Sequence, residues 1–428
     1  MSQQPLIGFA GMSHLGINTA VATAERGFDT ICYDSDSFLI KDLKNQKLTI
    51  VEPGLSTLFT KHLSTQRLKF SDDVSRLQEC DIVYISSDVM TNDSGESDLS
   101  TMRSLIEYVC WNLKPNAILI VLAQVPPGFT RQLKELIHPD RLYYQVETLI
   151  FGKAIERAMH PERFIIGCAD ADRELNPFYQ RLLNTFNCPI LVMNYESAEL
   201  TKISINCYLA AQVSVTNILS EICEKMGANW SQVIPALKLD KRIGQYSYIM
   251  PGLGIAGGNL ERDLTTILNL SKEWGTENSV VKSFVDNNRY RKNWVLKILH
   301  QSILLRNPNP SIAVLGLTYK ENTNSTKNSP ALALLESLKT YNIQSYDPTI
   351  KVPIVSWARC AHSIDEAVQN VDVLIIMTPW EEFKSLTPDT LKNNMHGKII
   401  IDPYHALNEI HFLKEGFQYF ALGRGSIC

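Results

Sequence analysis

Residues 5–16, PLIGFAGMSHLG, predict a strand, a glycine-rich turn and the start of a helix. An apolar run typical of a buried strand leads into Gly11, Ser13 and Gly16, and INTAVATAERG then continues with helical spacing. This order resembles G-x-G-x-x-G, in which a helix N-terminus receives a pyrophosphate. Gly11 can make the tight turn and Gly16 the close helix–strand packing. Ser13 replaces the middle glycine, which lets backbone approach phosphate, but its hydroxyl can still donate a hydrogen bond.

The next strand-like run, FDTICYD, ends at Asp34, 23 positions after Gly11. A carboxylate near that separation holds the ribose 2′-hydroxyl of a dinucleotide and repels a 2′-phosphate. The combination therefore predicts NAD rather than NADP as the cofactor. The alternative is a Rossmann-shaped lobe that binds nothing.

Apolar runs and helical stretches alternate along the first part of the chain. The candidate strands are PLIGFAG, FDTICYD, CDIVYISS, AILIVLA, RLYYQV and RFIIGCA. Near-continuous apolar runs of this kind are typical of a parallel sheet covered on both faces. We therefore expect an α/β fold that begins with a doubly wound, Rossmann-like domain over residues 1–195.

The sequence pattern changes in the middle of the chain from alternating strand-like runs to long stretches with helical spacing. A long helix is predicted from Ser197 to about Met226, ended by Gly227, and a second helical stretch from about Leu264 to Leu304. After a turn-rich linker the strand candidates are SIAVLGL, IQSYDP, VDVLIIMTPW and GKIIIDP. The sequence thus predicts a central helical, dimerising domain over 196–305 and a second Rossmann-like α/β domain over 306–428.

Composition narrows the class of protein. The net charge is −4 and the pI about 6.2, so nothing favours nucleic acid as a partner. No run approaches the roughly 20 apolar residues of a membrane span, and no signal core is evident. The nine cysteines, Cys428 among them, include no CxxC pair. We expect a cytoplasmic protein with reduced thiols and no metal site.

Several short segments carry a family resemblance. They are EPGL (52–55), DLS (98–100), VPPG (125–128), HPER (160–163), SPA (329–331), YDP (346–348) and WEEF (380–383). In this order and spacing they resemble the UDP-glucose/GDP-mannose dehydrogenase family over nearly the full length. Members oxidise the C6 alcohol of a nucleotide sugar to a carboxylate with two NAD and a catalytic cysteine. The resemblance implies NAD, a nucleotide sugar such as a UDP-hexose, a role in polysaccharide biosynthesis and a homodimer.

Two residues of the long helix match the family's K-x-x-x-N. Lys202 and Asn206 are four residues apart and share one helix face, so an ammonium and an amide could converge on a substrate oxygen. The resemblance implies that they stabilise the developing oxyanion. The alternative is a lysine that only covers apolar surface and an asparagine that packs.

The resemblance also implies roles elsewhere. Glu147 matches a glutamate near the catalytic centre, and Asp263 matches the aspartate that closes the family's catalytic motif. Gly257, Gly258 and Lys320 are expected at the sugar nucleotide.

One position breaks the pattern. PGLGIAGGNLERD, residues 251–263, aligns without a gap with the family's PGxGFGGSCFPKD, so Asn259 falls on the catalytic cysteine. An amide has no comparable nucleophilicity, so a thioester cannot form there. The thiols of Cys207 and Cys168 are predicted to be structural.

Other departures lie around the same step. Gln124, which we expect at the cofactor, stands at the family's water-positioning threonine, and Phe151 stands at a glutamate. Val89-Met90 replaces a Thr-Pro pair, and Tyr404-His405 replaces an Arg-Asn pair.

Two classes of function therefore stay open. The first is an NAD-dependent enzyme that works on a nucleotide sugar without a thioester, by a single two-electron oxidation, by epimerisation with tightly held NAD, or through a hydrated aldehyde. The second is a catalytically silent relative that binds a ligand or a partner. Retention of Lys202, Asn206 and Asp263 favours the enzyme, whereas Ser13 and the lost Thr-Pro pair favour the silent relative.

Overall fold

The computed structural model describes residues 4–91 and 97–425, with only the backbone of Met90 and Thr91, so Cys428 lies outside the described residues. The chain separates into two compact units, residues 1–205 and 206–428. The division into three domains that the sequence suggests stays a prediction.

The first unit is built from short strands joined by helices. Its strands are β1 (Ile7–Ala10), β2 (Thr30–Tyr33), β3 (Leu68–Ser71), β4 (Ile82–Ile85), β5 (Met90–Thr91), β6 (Ser97–Asp98), β7 (Ile118–Val121), β8 (Leu142–Gln145), β9 (Phe164–Cys168) and β10 (Ile190–Asn194). Its helices are α1 (His14–Glu25), α2 (Ser37–Lys44), α3 (Leu55–Ser64), α4 (Ser100–Trp111), α5 (Phe129–Gln132), α6 (Ala154–Met159), α7 (Pro177–Asn184) and the start of α8 (Tyr195–Met226).

The main sheet has the order β10-β9-β8-β7-β4-β1-β2-β3, and β1 pairs in parallel with β2 and with β4. The chain therefore reverses its direction of winding between β1 and β4, as in a Rossmann fold. The predicted fold class is confirmed. The apolar runs predicted a parallel sheet, and the main sheet departs from that prediction at one pair, because β8 and β9 are antiparallel. An apolar run in the sequence indicates that a strand is buried on both faces, but it does not indicate the direction in which the strand runs.

The core lies on both faces of this sheet. Within β4, Ile82 and Tyr84 pack in one apolar cluster, while Val83 and Ile85 pack in another. Successive side chains of a strand point to opposite faces, so a strand covered on both sides is apolar at every position. This explains the continuous apolar runs of the sequence.

The second unit begins within α8 and adds a helical layer and another sheet. Its further helices are α9 (Trp230–Leu239), α10 (Asn259–Trp274), α11 (Ser279–Lys292), α12 (Trp294–Leu299), α13 (Pro330–Ser337), α14 (Ile364–Val368), α15 (Pro388–Asn394) and α16 (Glu409–Lys414). Its strands are β11 (Ser311–Leu315), β12 (Asn342–Tyr346), β13 (Ala358–Cys360), β14 (Val373–Ile376), β15 (Ile399–Ile401) and β16 (Gln418–Phe420). They form a parallel sheet in the order β13-β12-β11-β14-β15-β16.

The long helix is confirmed, since α8 ends at Met226 and Gly227 follows with a φ of 76°. The second helical stretch differs from the prediction. It starts at Asn259 rather than near Leu264, and it is interrupted after Trp274 by Gly275, whose φ is 67°. Within residues 4–91 and 97–425, no helix combines the length and apolar character needed to cross a bilayer.

Candidate active site

The glycine turn after β1 admits no side chain at two positions. A Cβ added to Gly11, whose φ is 97°, would lie 2.6 Å from the backbone nitrogen of Ser87. A Cβ on Gly16 would lie 2.1 Å from the carbonyl oxygen of Gly11. The turn and the first turn of α1 are thus packed at backbone distance. This close packing leaves the N-terminus of α1 at the carboxyl edge of the sheet.

Ser13 is the N-cap of α1. Its Oγ accepts hydrogen bonds from the backbone N–H groups of Leu15 and Gly16, at 3.2 and 3.3 Å, and donates to the carbonyl oxygen of Ser86 at 2.6 Å. The hydroxyl proton, which we expected to face a ligand, is therefore directed at the protein.

Asp34 follows β2 and lies beside the glycine turn. Its Oδ2 accepts from the Met12 backbone N–H at 2.7 Å, and its Oδ1 accepts from Asp36 N–H at 3.0 Å. The side chain is only half-buried. Gln124 lies half-buried beyond β7, at the same carboxyl edge. Gly11 and Gly16 thus form a cradle in which a side chain would not fit, and the accessible carboxylate of Asp34 lies next to it. The cradle lies where the winding reverses, between β1 and β4, and this arrangement fits a dinucleotide such as NAD.

Two of the expected catalytic residues meet in the first unit. Lys202 Nζ lies 3.0 Å from Glu147 Oε2, and the two side chains are only 10% and 12% exposed. The other carboxylate oxygen of Glu147 accepts from the backbone N–H of Leu149 at 2.9 Å. The lysine comes from α8 and the glutamate from the loop after β8, so tertiary packing brings them together.

Asn206 and Asp263, which were also expected at the catalytic centre, meet in the second unit. Asn206 Nδ2 donates to Asp263 Oδ2 at 2.5 Å, and both residues are buried. Arg262 Nε lies 3.4 Å from the other oxygen of Asp263. The four residues therefore form two buried polar pairs, one in each unit.

Asn259 is the first residue of α10 and has an exposed side chain. The preceding N-cap is Gly258, whose lack of a side chain leaves the helix N-terminus without a side-chain cap. The partial positive charge of a helix N-terminus would stabilise a thiolate at this position. An asparagine amide cannot use that stabilisation to become a nucleophile.

The thiols of Cys207 and Cys168 do not replace the missing cysteine. Cys207 packs against a small apolar cluster of the second unit formed by Ala210, Ile255 and Leu264, and burial raises the pKa of its thiol. Cys168 packs in the core of the first unit, and burial raises its pKa as well. A raised pKa leaves little thiolate at neutral pH, so both thiols have the environment of structural cysteines.

The glycine turn before α10 meets the loop after β11. A Cβ on Gly257, whose φ is 81°, would lie 3.3 Å from the ring of Tyr319, and one on Gly258 would lie 3.2 Å from Lys327 Cε. Lys320 Nζ lies 5.7 Å from the centroid of the Tyr319 ring. The three residues that we expected at the sugar nucleotide therefore share one neighbourhood within the second unit.

Glu261 forms hydrogen bonds with several residues around this glycine turn. The sequence analysis did not predict a role for it. Its Oε1 accepts from Asn288 Nδ2 and from Lys292 Nζ, both at 2.9 Å. Its Oε2 accepts from Asn328 Nδ2, which also donates to the Gly257 carbonyl oxygen at 2.8 Å. The signal was present in the aligned motif, where Glu261 falls on the family's proline.

The second sheet repeats the turn of the first. A Cβ on Gly316, which follows β11, would lie 2.5 Å from Thr378 Cβ. Asp347, which follows β12, accepts from the N–H groups of Leu317 and Thr318 at 2.7 and 3.1 Å. Asp347 is only 1% exposed, so its carboxylate holds the turn and is not accessible to a ligand as Asp34 is.

Tyr404 occupies the position where the resemblance led us to expect a cation. A Cβ on Gly252 would lie 4.0 Å from its ring, so the phenol packs near the segment that leads to the glycine turn. Burial raises the pKa of this phenol. The ring packs against the apolar core of the second unit, and the phenol also has a hydrogen bond with the backbone of Leu253.

Comparisons with known proteins match three segments of the chain. Residues 6–186 match the NAD binding domain of the UDP-glucose/GDP-mannose dehydrogenase family, residues 196–290 its central domain and residues 313–409 its UDP binding domain. A UDP-glucose 6-dehydrogenase of Bacillus subtilis strain 168 is 28% identical over 98% of this chain and 94% of its own length. One from Rhizobium meliloti strain 1021 is 29% identical over 98% and 99%.

Solved structures support the fold. The UDP-D-ManNAc dehydrogenase of Pyrococcus horikoshii superimposes with a TM-score of 0.85 at 24% identity, covering 98% of this chain and 99% of the other. A UDP-glucose dehydrogenase from Pyrobaculum islandicum gives 0.85 at 23% identity, with 98% of each chain covered. A catalytically silent protein gains no support from any of these likenesses.

Proposed function

The chain belongs to the UDP-glucose/GDP-mannose dehydrogenase family, and we propose that it oxidises an alcohol of a nucleotide sugar, with NAD as the acceptor. The observation that carries this proposal is the cradle of Gly11 and Gly16 beside Asp34, in a domain that matches the family's NAD binding domain. A UDP-hexose is the proposed substrate, because the C-terminal sheet matches the UDP binding domain and the relatives are UDP-glucose 6-dehydrogenases.

Lys202 and Asn206 are the residues that we propose for polarising the reacting oxygen. NAD supplies the hydride acceptor when it is bound. The ammonium of Lys202, held by Glu147, would stabilise an alkoxide as the alcohol loses its proton. The amide of Asn206 is fixed by Asp263 and would present a neutral donor. These fixed dipoles and charges need little rearrangement during the reaction, which is the basis of electrostatic catalysis.

Asn259 limits how far the oxidation runs. Removal of a hydride and a proton from an alcohol yields an aldehyde and one NADH. A second oxidation needs a tetrahedral adduct at the aldehyde carbon, and an amide cannot attack to form one. We therefore propose a two-electron oxidation with one NADH per sugar. The alternative is a second oxidation through the hydrated aldehyde, which would give two NADH per sugar and no covalent enzyme adduct, and a measured ratio of two would contradict the two-electron proposal.

A panel of nucleotide sugars tests this proposal. The protein is incubated with NAD and with UDP-, GDP- or dTDP-sugars, while NADH is followed by absorbance and the products by mass spectrometry with hydroxylamine to trap aldehyde. We expect NADH and an oxime of one sugar, in equal amounts. No NADH and no altered sugar across the panel would refute the enzyme, and a covalent acyl adduct on the protein would refute the role given to Asn259.

The exposed face of α8 supports a homodimer. Apolar side chains spaced at seven, four, three and four residues form one stripe along the helix and are 42–74% exposed: Tyr208, Val215, Leu219, Ile222 and Met226. The opposite face of the helix is buried. A long apolar stripe on a helix favours association, and two-fold symmetry would pack it against its own copy. Free thiols at all eight described cysteines agree with the cytoplasmic location that we propose.

A further inference from the structure

Ser13 lies where a dinucleotide needs the helix N-terminus to be open. We propose that its hydroxyl acts as an internal cap that competes with the cofactor's pyrophosphate, and so sets the affinity of this chain for NAD. The inference rests on the NAD site of the proposed function but not on the sugar or on the reaction.

The backbone at Ser13 does not require a serine or a glycine. Its φ is −71° and its ψ 179°, an extended conformation that any residue adopts. The strict glycines are Gly11 and Gly16, where a Cβ would overlap backbone atoms. The side chain of Ser13 is therefore an addition to a turn whose shape the two glycines already determine.

The hydroxyl of Ser13 is held by hydrogen bonds in which it is both acceptor and donor. Its Oγ accepts from the Leu15 and Gly16 N–H groups and donates to the Ser86 carbonyl oxygen. Ser86 is itself 0% exposed at the end of β4, and its own hydroxyl donates to Gly11 at 2.9 Å. The cap thus joins the helix to the crevice between β1 and β4, where the winding reverses.

The helix N–H groups that Ser13 uses are the donors of an anion site. The N–H groups of a helix's first turn have no partner within the helix, and pyrophosphate binds them together with the helix dipole. A neutral hydroxyl that already accepts from two of them must give way before phosphate oxygens can do so. Part of the binding free energy is then spent on breaking an N-cap that the free protein has already formed.

The side chain of the neighbouring residue, His14, does not provide a replacement donor for the pyrophosphate. His14 is the first residue of α1, but its Nε2 lies 2.8 Å from Glu52 Oε1 and its ring lies against Phe151, with centroids 4.3 Å apart. The same Glu52 oxygen accepts from the Gly152 N–H at 2.8 Å. The imidazole is therefore held to the loop before α6, so it does not replace the two N–H groups that Ser13 occupies.

Measuring the binding of NADH directly distinguishes a hydroxyl that competes with the pyrophosphate from one that only stabilises the helix as an N-cap. NADH, ADP and adenosine are titrated by calorimetry against the full chain and its Ser13→Ala variant, without sugar. We expect Ser13→Ala to bind NADH and ADP about three- to tenfold more tightly, because an N-cap is worth roughly that factor. Adenosine, which has no pyrophosphate, should bind both proteins equally, and the free variant should melt at a lower temperature.

Two further variants complete the test. Ser363→Ala removes an N-cap hydroxyl of α14, where Oγ accepts from Glu366 N–H at 3.1 Å, and should lower the melting temperature without changing NADH affinity. Ser13→Gly gives the family's glycine and replaces Ser13→Ala if that variant does not fold. Unchanged or weaker NADH binding in the Ser13 variant overturns the inference. Such a result leaves the proposed function standing, since that function fails only if NADH does not form with any sugar.

Discussion

The ammonium of Lys202 lies 3.0 Å from the carboxylate of Glu147, in surroundings that leave about a tenth of either side chain exposed. A buried ion pair contributes little net stability, but the loss of one partner leaves a charge without compensation. The pair therefore fixes where the ammonium sits and makes each residue depend on the other.

Lys202→Met should separate the two roles of this pair. The variant leaves the Glu147 carboxylate buried and unpaired, so we expect the free energy of unfolding to fall by about 3 kcal/mol. Activity with NAD and the sugar should fall by at least about a hundredfold, since one electrostatic donor is typically worth that much. Urea unfolding and NADH formation measure the two effects.

The double variant Glu147→Gln/Lys202→Met is the control. It removes both charges, so stability should recover in part while activity stays low. Recovery of both would contradict a catalytic role for Lys202 and would leave it a structural residue only.

Asn259→Cys tests the geometry at the N-terminus of α10. A thiol there should have a lowered pKa because of the helix dipole, so iodoacetamide at pH 7 should label it about ten times faster than Cys207, whose pKa is raised. With NAD and substrate, the yield should rise from one NADH per sugar towards two. Asn259→Ser is the matched control, with similar size and no thiolate. An unreactive thiol at 259 would mean that the site differs from the family's.

The strands that the sequence predicted are those whose two faces are covered. Those it missed in the two large sheets are β3, β10, β13 and β16, and all four are edge strands. An edge strand has one paired neighbour and less burial, so its residues need not be uniformly apolar. In β3, for example, Lys69 is exposed between two buried neighbours. Hydrophobic runs therefore predicted the sheet interiors and left their margins undetected.

The candidate site was predicted in its residue types but not in its pairings. Motif matches identified Lys202, Asn206, Glu147 and Asp263. They did not show that Lys202 pairs with Glu147 or that Asn206 pairs with Asp263, because each pair joins two different elements that meet only after folding. Glu261 was missed because a glutamate in the first turn of a helix is ordinary. Its contacts come from α11 and from the loop after β11, which sequence spacing cannot place together.

Glu261→Ala should loosen the turn that carries Asn259. The variant removes the acceptor shared by Asn288, Lys292 and Asn328, so we expect a loss of about 1–3 kcal/mol in unfolding free energy. Amide hydrogen exchange in a peptide covering 251–262 should become faster. Glu273→Ala, at an exposed position of the same helix, should change stability by less than about 0.5 kcal/mol. Equal exchange in both variants would rule out a positioning role for Glu261.

Two carboxylates of the second sheet should give stability opposite dependences on pH. Burial alone would raise the pKa of Asp347, but hydrogen bonds from Leu317, Thr349 and Thr318 outweigh it and lower the pKa. The stability that Asp347 adds is thus present above the unfolded pKa of about 3.9 and is lost as the pH falls through the folded value. The deficit in melting temperature of Asp347→Asn should be largest at neutral pH and should shrink below about pH 4.

Asp402 has the opposite sign. Burial raises its pKa despite hydrogen bonds from Tyr419 and Leu407, so its favourable contribution is present below the unfolded pKa and is lost as the pH rises through the folded value. The melting temperature of Asp402→Asn relative to the unmodified protein should therefore improve between about pH 4 and neutrality. Thermal unfolding of both variants from acid to neutral pH checks the pair, and parallel profiles would contradict the assignment.

Ile222→Glu tests whether the exposed stripe of α8 joins two copies of the chain. Ile222 belongs to the stripe and is 49% exposed, so a glutamate there would place two buried charges at a two-fold interface and should dissociate the dimer. Sedimentation velocity should show a dimer for the unmodified chain and a monomer for the variant at the same concentration. Ile410→Glu is the matched control, because Ile410 is 57% exposed on α16, away from α8 in sequence. A dimer that persists in Ile222→Glu, or dissociates equally in Ile410→Glu, would show that α8 does not form the interface.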